Sequence, residues 1–188
     1  MKATCIVGSA RANGSCAYLV DTLIRGLEEG GAETIKYSIS QCDIHSCQGC
    51  KRCYSDGRCV WTDDVEKILQ DLLSSQVAVI ASPSYWAGVP GQLKTLFDRT
   101  TPYGDTNPNR RLLAQGPILG IAIAVRAGTR EEENRLILNA ISHYYGHLGV
   151  ETVKEISICQ TDSLEDLQKK HQREIQEIYQ LGKELARG

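Results

Sequence analysis

The chain has 188 residues, 41% of them hydrophobic and 23% charged, with 17 glycines and 8 cysteines. That balance excludes a disordered or collagen-like chain and fits one domain able to bury about two-thirds of its unfolded surface. Lys and Arg number 21 against 23 Asp and Glu, a formal charge of -2. No long basic stretch is present to neutralise a row of phosphates, so no nucleic-acid partner is expected.

The longest strongly apolar run, Ile118–Val125, falls far short of the roughly 20 residues a spanning helix needs, so no membrane insertion is expected. Met1–Val7 runs straight into Gly8 with no signal-peptide pattern, which points to a cytoplasmic protein. In a reducing compartment, cysteines at this density suggest metal or redox chemistry before disulfides.

In chain order, Lys2–Val7 reads as a strand, Ser15–Glu29 as a helix, Glu33–Ser38 as a strand and Asp63–Ser75 as a helix with cap candidates at Thr62 and Asp63. Strand and helix then alternate three more times: Val77–Ser82 with Pro90–Arg99, Ile118–Val125 with Arg130–Leu148, and Val153–Ile158 with Ser163–Leu185. Five strands each followed by a helix predict an α/β fold, a parallel sheet covered on both faces with right-handed crossovers. Two connections, 39–62 and 100–117, are too long for ordinary loops of about 2–6 residues. The first leaves the carboxyl edge of the sheet, where open α/β folds hold ligands. It reads as a cysteine-rich insertion at about 40–62 within a single domain spanning 1–188.

Two loops on that edge carry ligand-type chemistry. Gly8–Ser15 (GSARANGS) joins the first strand to the first helix. Its glycines permit close approach, Ser9, Arg11 and Ser15 can donate to an anion, and the helix start adds aligned N–H groups. It is neither G-x-G-x-x-G nor a nucleotide-hydrolysing P-loop; a Gly-rich connection with Ser15 as N-cap is the plainer reading. After the third strand, Ala81–Pro90 sets Tyr85 and Trp86 among small and turn-forming residues. These can line a flat ring, with Ser84 on its polar rim, or serve as core.

Together, GSARANGS and SPSYWAGVPGQLKTLFDRT resemble the flavodoxin-like NADPH-dependent FMN reductase family over most of residues 1–150. Within it, Cys47-x2-Cys50-x2-Cys53-x5-Cys59 followed by Asp63-Asp64 looks like the iron–sulfur flavoproteins. The resemblance implies a three-layer flavodoxin-like sandwich with strand order 2-1-3-4-5. It implies FMN phosphate on Ser9, Arg11, Asn13, Gly14, Ser15 and the amide of Cys16. Pro83, Ser84, Tyr85, Trp86 and Gly88 would pack beside ribityl and isoalloxazine, with Ala127 and Gly128 in the third loop. A homodimer or dimer of dimers is implied, and a redox partner such as NAD(P)H or a ferredoxin.

The cysteine spacing speaks for itself. Thiolates at i, i+3 and i+6 with a fourth six residues on can converge on one centre, and the triple C-x2-C-x2-C run matches the start of a cluster-binding segment. Structural zinc more often uses two separated C-x2-C pairs. A [4Fe–4S] cluster, zinc and free or disulfide-forming thiols all stay open. Cys5 reads as core, while Cys16, Cys42 and Cys159 have no ligand-like spacing. His143 and His147 lie at i, i+4 without the Glu of H-E-x-x-H, which suggests capping or surface roles.

The leading expectation is therefore an FMN-dependent redox protein carrying a [4Fe–4S] cluster, without a proton-transfer triad. The alternatives are an NAD(P)H-dependent FMN or quinone reductase lacking the cluster, and a zinc-stapled interaction module. A phosphoreceiver module is rejected, because it needs acidic residues where Gly8-Ser9 and Ser82-Pro83 stand.

Overall fold

The computed structural model describes residues 1–114 and 116–187. Five parallel strands, β1 (Lys2–Val7), β2 (Glu33–Ser38), β3 (Val77–Pro83), β4 (Ile118–Val125) and β5 (Val150–Ile158), form one sheet in the order β2-β1-β3-β4-β5. This is the doubly wound flavodoxin-like order, and β1, β2 and β4 have the bounds the sequence pattern predicts, with β3 one residue longer. β3 is buried at every residue, as a central strand covered on both faces must be.

Side chains alternate between the two faces. One face of the sheet packs Ile6, Ile80 and Ala122 under α3 (Asp64–Leu73), α4 (Gly91–Asp98) and α5 (Glu131–His147), sealed by Ile68, Leu72, Leu96, Ile141 and Tyr145. The other packs Cys5, Val79 and Ile123 under α1 (Ser15–Glu29) and α7 (Gln172–Arg187) through Leu19, Leu23, Leu27 and Ile178. α1 and α7 meet backbone to backbone. A Cβ on Gly26 would stand 2.1 Å from the Tyr179 carbonyl, and one on Gly182 would stand 2.4 Å from that of Leu23.

Three differences from the sequence reading have physical causes. β5 begins at Val150, where it pairs with Ile118, and not at Val153. It is an edge strand whose exposed Glu151, Lys154 and Glu155 hide its periodicity. The last helix is two, α6 (Leu164–Lys170) and α7, broken at His171, whose Nε2 lies 2.8 Å from the Cys159 carbonyl. The long 39–62 connection holds a 3-10 turn, Ile39–Gln41, and a short helix α2, Arg52–Asp56. Among the described residues, no helix is long and apolar enough to cross a membrane.

Candidate cofactor cavity and cysteine loop

At the carboxyl edge the loops after β1, β3, β4 and β5 enclose a cavity of about 220 Å³. The β1–α1 loop closes it at one end. Gly8 donates its N–H to the Ala81 carbonyl at 2.7 Å, so β1 and β3 stay in register to the mouth of the site. A Cβ there would meet Leu93 Cδ2 at 2.5 Å. Ser9 Oγ accepts from the Arg11 amide at 3.1 Å, and Arg11 Nη1 donates to the Asp162 carbonyl at 3.3 Å. Ser15 is not the helix cap. Gly14 occupies that position with no side-chain hydrogen bond, whereas α3 and α6 are capped by Asp63 and Ser163. The first amides of α1 thus have no side-chain acceptor, the arrangement in which a helix start receives an anion. Cys16 lines the same end, its thiol pushed up to about 12 by burial and therefore inert.

Pro83, Ser84 and Tyr85 form a second wall and Ala127 a third. Ser84 Oγ is buried without a hydrogen-bond partner, and so is Arg126 Nε on the adjoining loop. Nearly all buried polar atoms are satisfied, so these two atoms, unpartnered among the described residues and carried by residues that line one cavity, are groups a polar ligand there could engage. The crowded charges of the β4–α5 loop neutralise one another: Arg126 pairs with Glu133 at 2.9 Å and Arg130 with Glu133 at 3.7 Å.

Five further residues of the sequence reading lie beside the cavity and do not line it. Asn13 is exposed, and Gly14 is the helix cap. Gly128 accepts from the Gln160 amide at 3.0 Å. Tyr85 and Gly88 close a tight turn with hydrogen bonds of 2.9 and 3.0 Å. Its central residues, Trp86 and Ala87, have φ of 53° and 59°, left-handed values costly for residues other than glycine. Trp86 stands wholly in solvent. Val125, Arg126, Thr161 and Asp162 line the cavity without having been anticipated. The signal that could have found the last two is topological, since they follow β5 on the ligand edge.

The cysteine loop is a closed excursion. At its neck Asp64 donates its N–H to the Asp43 carbonyl at 3.0 Å, and the Asp43 N–H donates back to Asp64 Oδ2 at 2.8 Å. His45 stacks on Trp61 at 4.3 Å. Beneath lies Arg99, at the end of α4, with 1% of its side chain exposed. It donates to both Asp63 oxygens at 2.7 and 3.0 Å, to the His45 carbonyl at 2.6 Å and to Cys59 Sγ at 3.1 Å. Burial alone would push the Asp63 carboxyl up, but Arg99 and the His45 and Val65 amides outweigh it and hold it below the usual carboxylate range.

Cys47 and Cys50 are exposed, Cys53 and Cys59 half-buried. The Cys53 thiol is pushed up, first by burial and then by its cysteine neighbours, Cys59 foremost. Among the described residues, no three His, Cys, Asp or Glu side chains meet around a point where one metal ion could sit. Cys42 turns away, its Sγ donating to the Ser38 carbonyl at 3.3 Å. Cys5 is core, its thiol raised to about 12 by burial. The second long connection, 100–117, clasps the loop: Asn107 Nδ2 donates to the Cys53 carbonyl at 2.9 Å and Asn109 Nδ2 to that of Tyr54 at 2.5 Å.

Residues 1–156 match the model of the family described as NADPH-dependent FMN reductase. The chain belongs to that family. It is 38% identical over 104 residues to an iron-sulfur flavoprotein of Archaeoglobus fulgidus, covering 55% of this chain and 47% of that one. It is 28% identical over 192 residues to an iron-sulfur flavoprotein of Methanosarcina thermophila, covering 90% and 98%. The chain spans about half the length of the Archaeoglobus relative and nearly all of the Methanosarcina one. In fold, this member of the FMN reductase family is similar to an NAD(P)H:quinone oxidoreductase from Methanothermobacter marburgensis. The TM-score is 0.69 at 13% identity, over 98% of this chain and 96% of the other.

Proposed function

We propose that this chain is an FMN-dependent oxidoreductase that also carries a [4Fe–4S] cluster on Cys47, Cys50, Cys53 and Cys59. One observation carries the flavin half: a cavity lined by Arg11 and the uncapped start of α1, and also by Ser84 and Arg126, whose Oγ and Nε have no hydrogen-bond partner among the described residues. Arg11, which donates to the Asp162 carbonyl, would hold the FMN phosphate together with the first α1 amides, Ser9 and Ser15. Ser84 and Arg126 would supply polar groups to the flavin. At about 220 Å³ the cavity is smaller than the ~300–1,000 Å³ typical of whole ligand sites, so part of a bound FMN would lie outside it. A second copy would cover that part, in a homodimer or dimer of dimers.

The donor set fits the cluster. Thiolates are soft ligands, and Arg99 supplies the hydrogen bond to sulfur that tunes such centres. In a cubane each thiolate would hold a different iron, so the four sulfurs need not meet at one point as the ligands of a single tetrahedral ion must. Bound here, FMN would supply one- or two-electron transfer and the cluster one-electron transfer, joining a two-electron donor such as NAD(P)H to a one-electron partner such as a ferredoxin.

The second reading, an FMN or quinone reductase without a cluster, is favoured by the exposure of Cys47 and Cys50. Anaerobic purification with flavin, iron and acid-labile sulfide assays tests both. FMN with iron and sulfide in equal amounts is expected. FMN without either leaves the plain reductase, metal without sulfide indicates zinc, and absence of FMN overturns both readings.

A further inference from the structure

A separate group of metal-ligating side chains lies at the C-terminal end of α5, away from cavity and cysteine loop. His143 and His147 are one turn apart on that helix, their Nε2 atoms 3.1 Å from each other and their rings edge to face. His147 Nδ1 lies 2.6 Å from Asp105 Oδ1, and the Asp105 N–H donates to the His147 carbonyl at 2.9 Å. A carboxylate only accepts, so the proton of a neutral His147 sits on Nδ1 and the Nε2 lone pair faces His143. This is the carboxylate–histidine arrangement that orients metal-binding imidazoles.

The distance between the nitrogens matters more than their spacing in sequence. Two imidazole nitrogens about 2.0–2.1 Å from one zinc in near-tetrahedral geometry lie about 3.3 Å apart. To chelate, the two rings need to turn until both lone pairs meet at one point, and His143 has to carry its proton on Nδ1 instead of on Nε2, from which it donates to His147 here. His143 is exposed and the His147 side chain is 40% exposed, so an ion can reach both. The negative end of the helix dipole favours a cation at this position. The missing Glu of H-E-x-x-H is a general base and not a ligand, so its absence removes a catalytic role and leaves binding intact.

We propose that His143 and His147 form a two-histidine zinc site, oriented by Asp105 and completed by water. Among the described residues no third His, Cys, Asp or Glu completes it, so the site is open and binds more weakly than a closed structural zinc site. Its occupancy fastens the end of α5, through Asp105, to the connection that clasps the cysteine loop.

The test is equilibrium dialysis of the purified, FMN-loaded protein against micromolar free Zn²⁺, followed by metal analysis. Wild type should retain about one more zinc equivalent than His143→Ala or His147→Ala. Zinc taken by the cysteine loop cancels, because that loop is the same in all three. Asp105→Asn should weaken this binding about 10- to 100-fold without abolishing it. Circular dichroism verifies the fold of each variant, and His143→Gln provides the same comparison should His143→Ala misfold. Equal zinc in wild type and a folded His143 variant overturns the proposal and leaves a hydrogen bond between two histidines.

Discussion

The candidate cofactor cavity and the cysteine loop are both built beyond strand ends, yet different forces hold them. The cavity is made of short loops a few residues past buried strands, so β-sheet register and the tight Gly8–Ala81 contact set its shape. The cysteine loop has little core of its own: α2 has no buried residue. Its position depends on polar clamps brought from elsewhere, the buried Asp63–Arg99 pair beneath and Asn107 and Asn109 alongside. A ligand site drawn from a sheet inherits the sheet's stability, while one drawn from an insertion requires its own polar fastenings.

The sharpest way to break the comparison is to remove a proposed cluster ligand. Cys59→Ala should abolish iron and sulfide together while FMN stays bound, because four thiolates act as a set, whereas Cys159→Ala should change neither. Loss of flavin along with iron in Cys59→Ala would mean that the two sites are one structural unit.

The clamp comes next in size. Arg99→Ala leaves Asp63 buried and charged, a change worth about 3–5 kcal/mol, read as a lower urea midpoint. A loss under about 1 kcal/mol would mean water replaces the guanidinium. Since the Asp63 carboxyl is held below its usual value, its stabilisation is complete above the ordinary carboxylate range and is lost as pH falls through the lower folded value. Asp63→Asn should therefore lose stability near neutral pH and show a shallower acid decline.

What was legible in the sequence follows the same division. β3, with its continuous VAVIASP run, and the Gly8–Ser15 loop announce themselves through composition, and the strand order came with the resemblance those motifs carry. The start of β5 was hidden because an edge strand can be polar. The clamps were illegible for another reason. Arg99 meets Asp63 across 36 positions and Asn107 meets Cys53 across 54, and no local pattern encodes a partner that far away. Likewise, i, i+4 histidines are common on helix surfaces, and only Asp105, from another element, sets this pair apart.

Two smaller effects sharpen the contrast. Arg11→Ala should weaken FMN binding about 10- to 150-fold, the equivalent of roughly 1.5–3 kcal/mol for a hydrogen bond to a charged group. Riboflavin, which has no phosphate, should bind almost as before, with both affinities read by flavin fluorescence titration. Equal losses for the two flavins would place Arg11 away from the phosphate.

The smallest effect belongs to the clasp. Asn107 is 1% exposed and donates through Nδ2 to the Cys53 and Thr101 carbonyls at 2.9 and 3.1 Å. Its own Oδ1 accepts from the Asn109 amide at 3.0 Å. In Asn107→Ala, water reaching the freed Cys53 carbonyl would recover part of the loss, so about 1 kcal/mol of stability is expected to go. FMN affinity should not change, because no residue of the clasp lines the flavin cavity. The cysteine loop, released on one side, should surrender its iron to a chelator faster than wild type. Asn107→Asp separates geometry from chemistry: it keeps the shape and the acceptor but has no donor for either carbonyl, so it should be at least as damaging as alanine. If Asn107→Asp instead matches wild type in both stability and iron release, the asparagine only fills space, and the loop is held by Arg99, Asn109 and the Asp43–Asp64 neck.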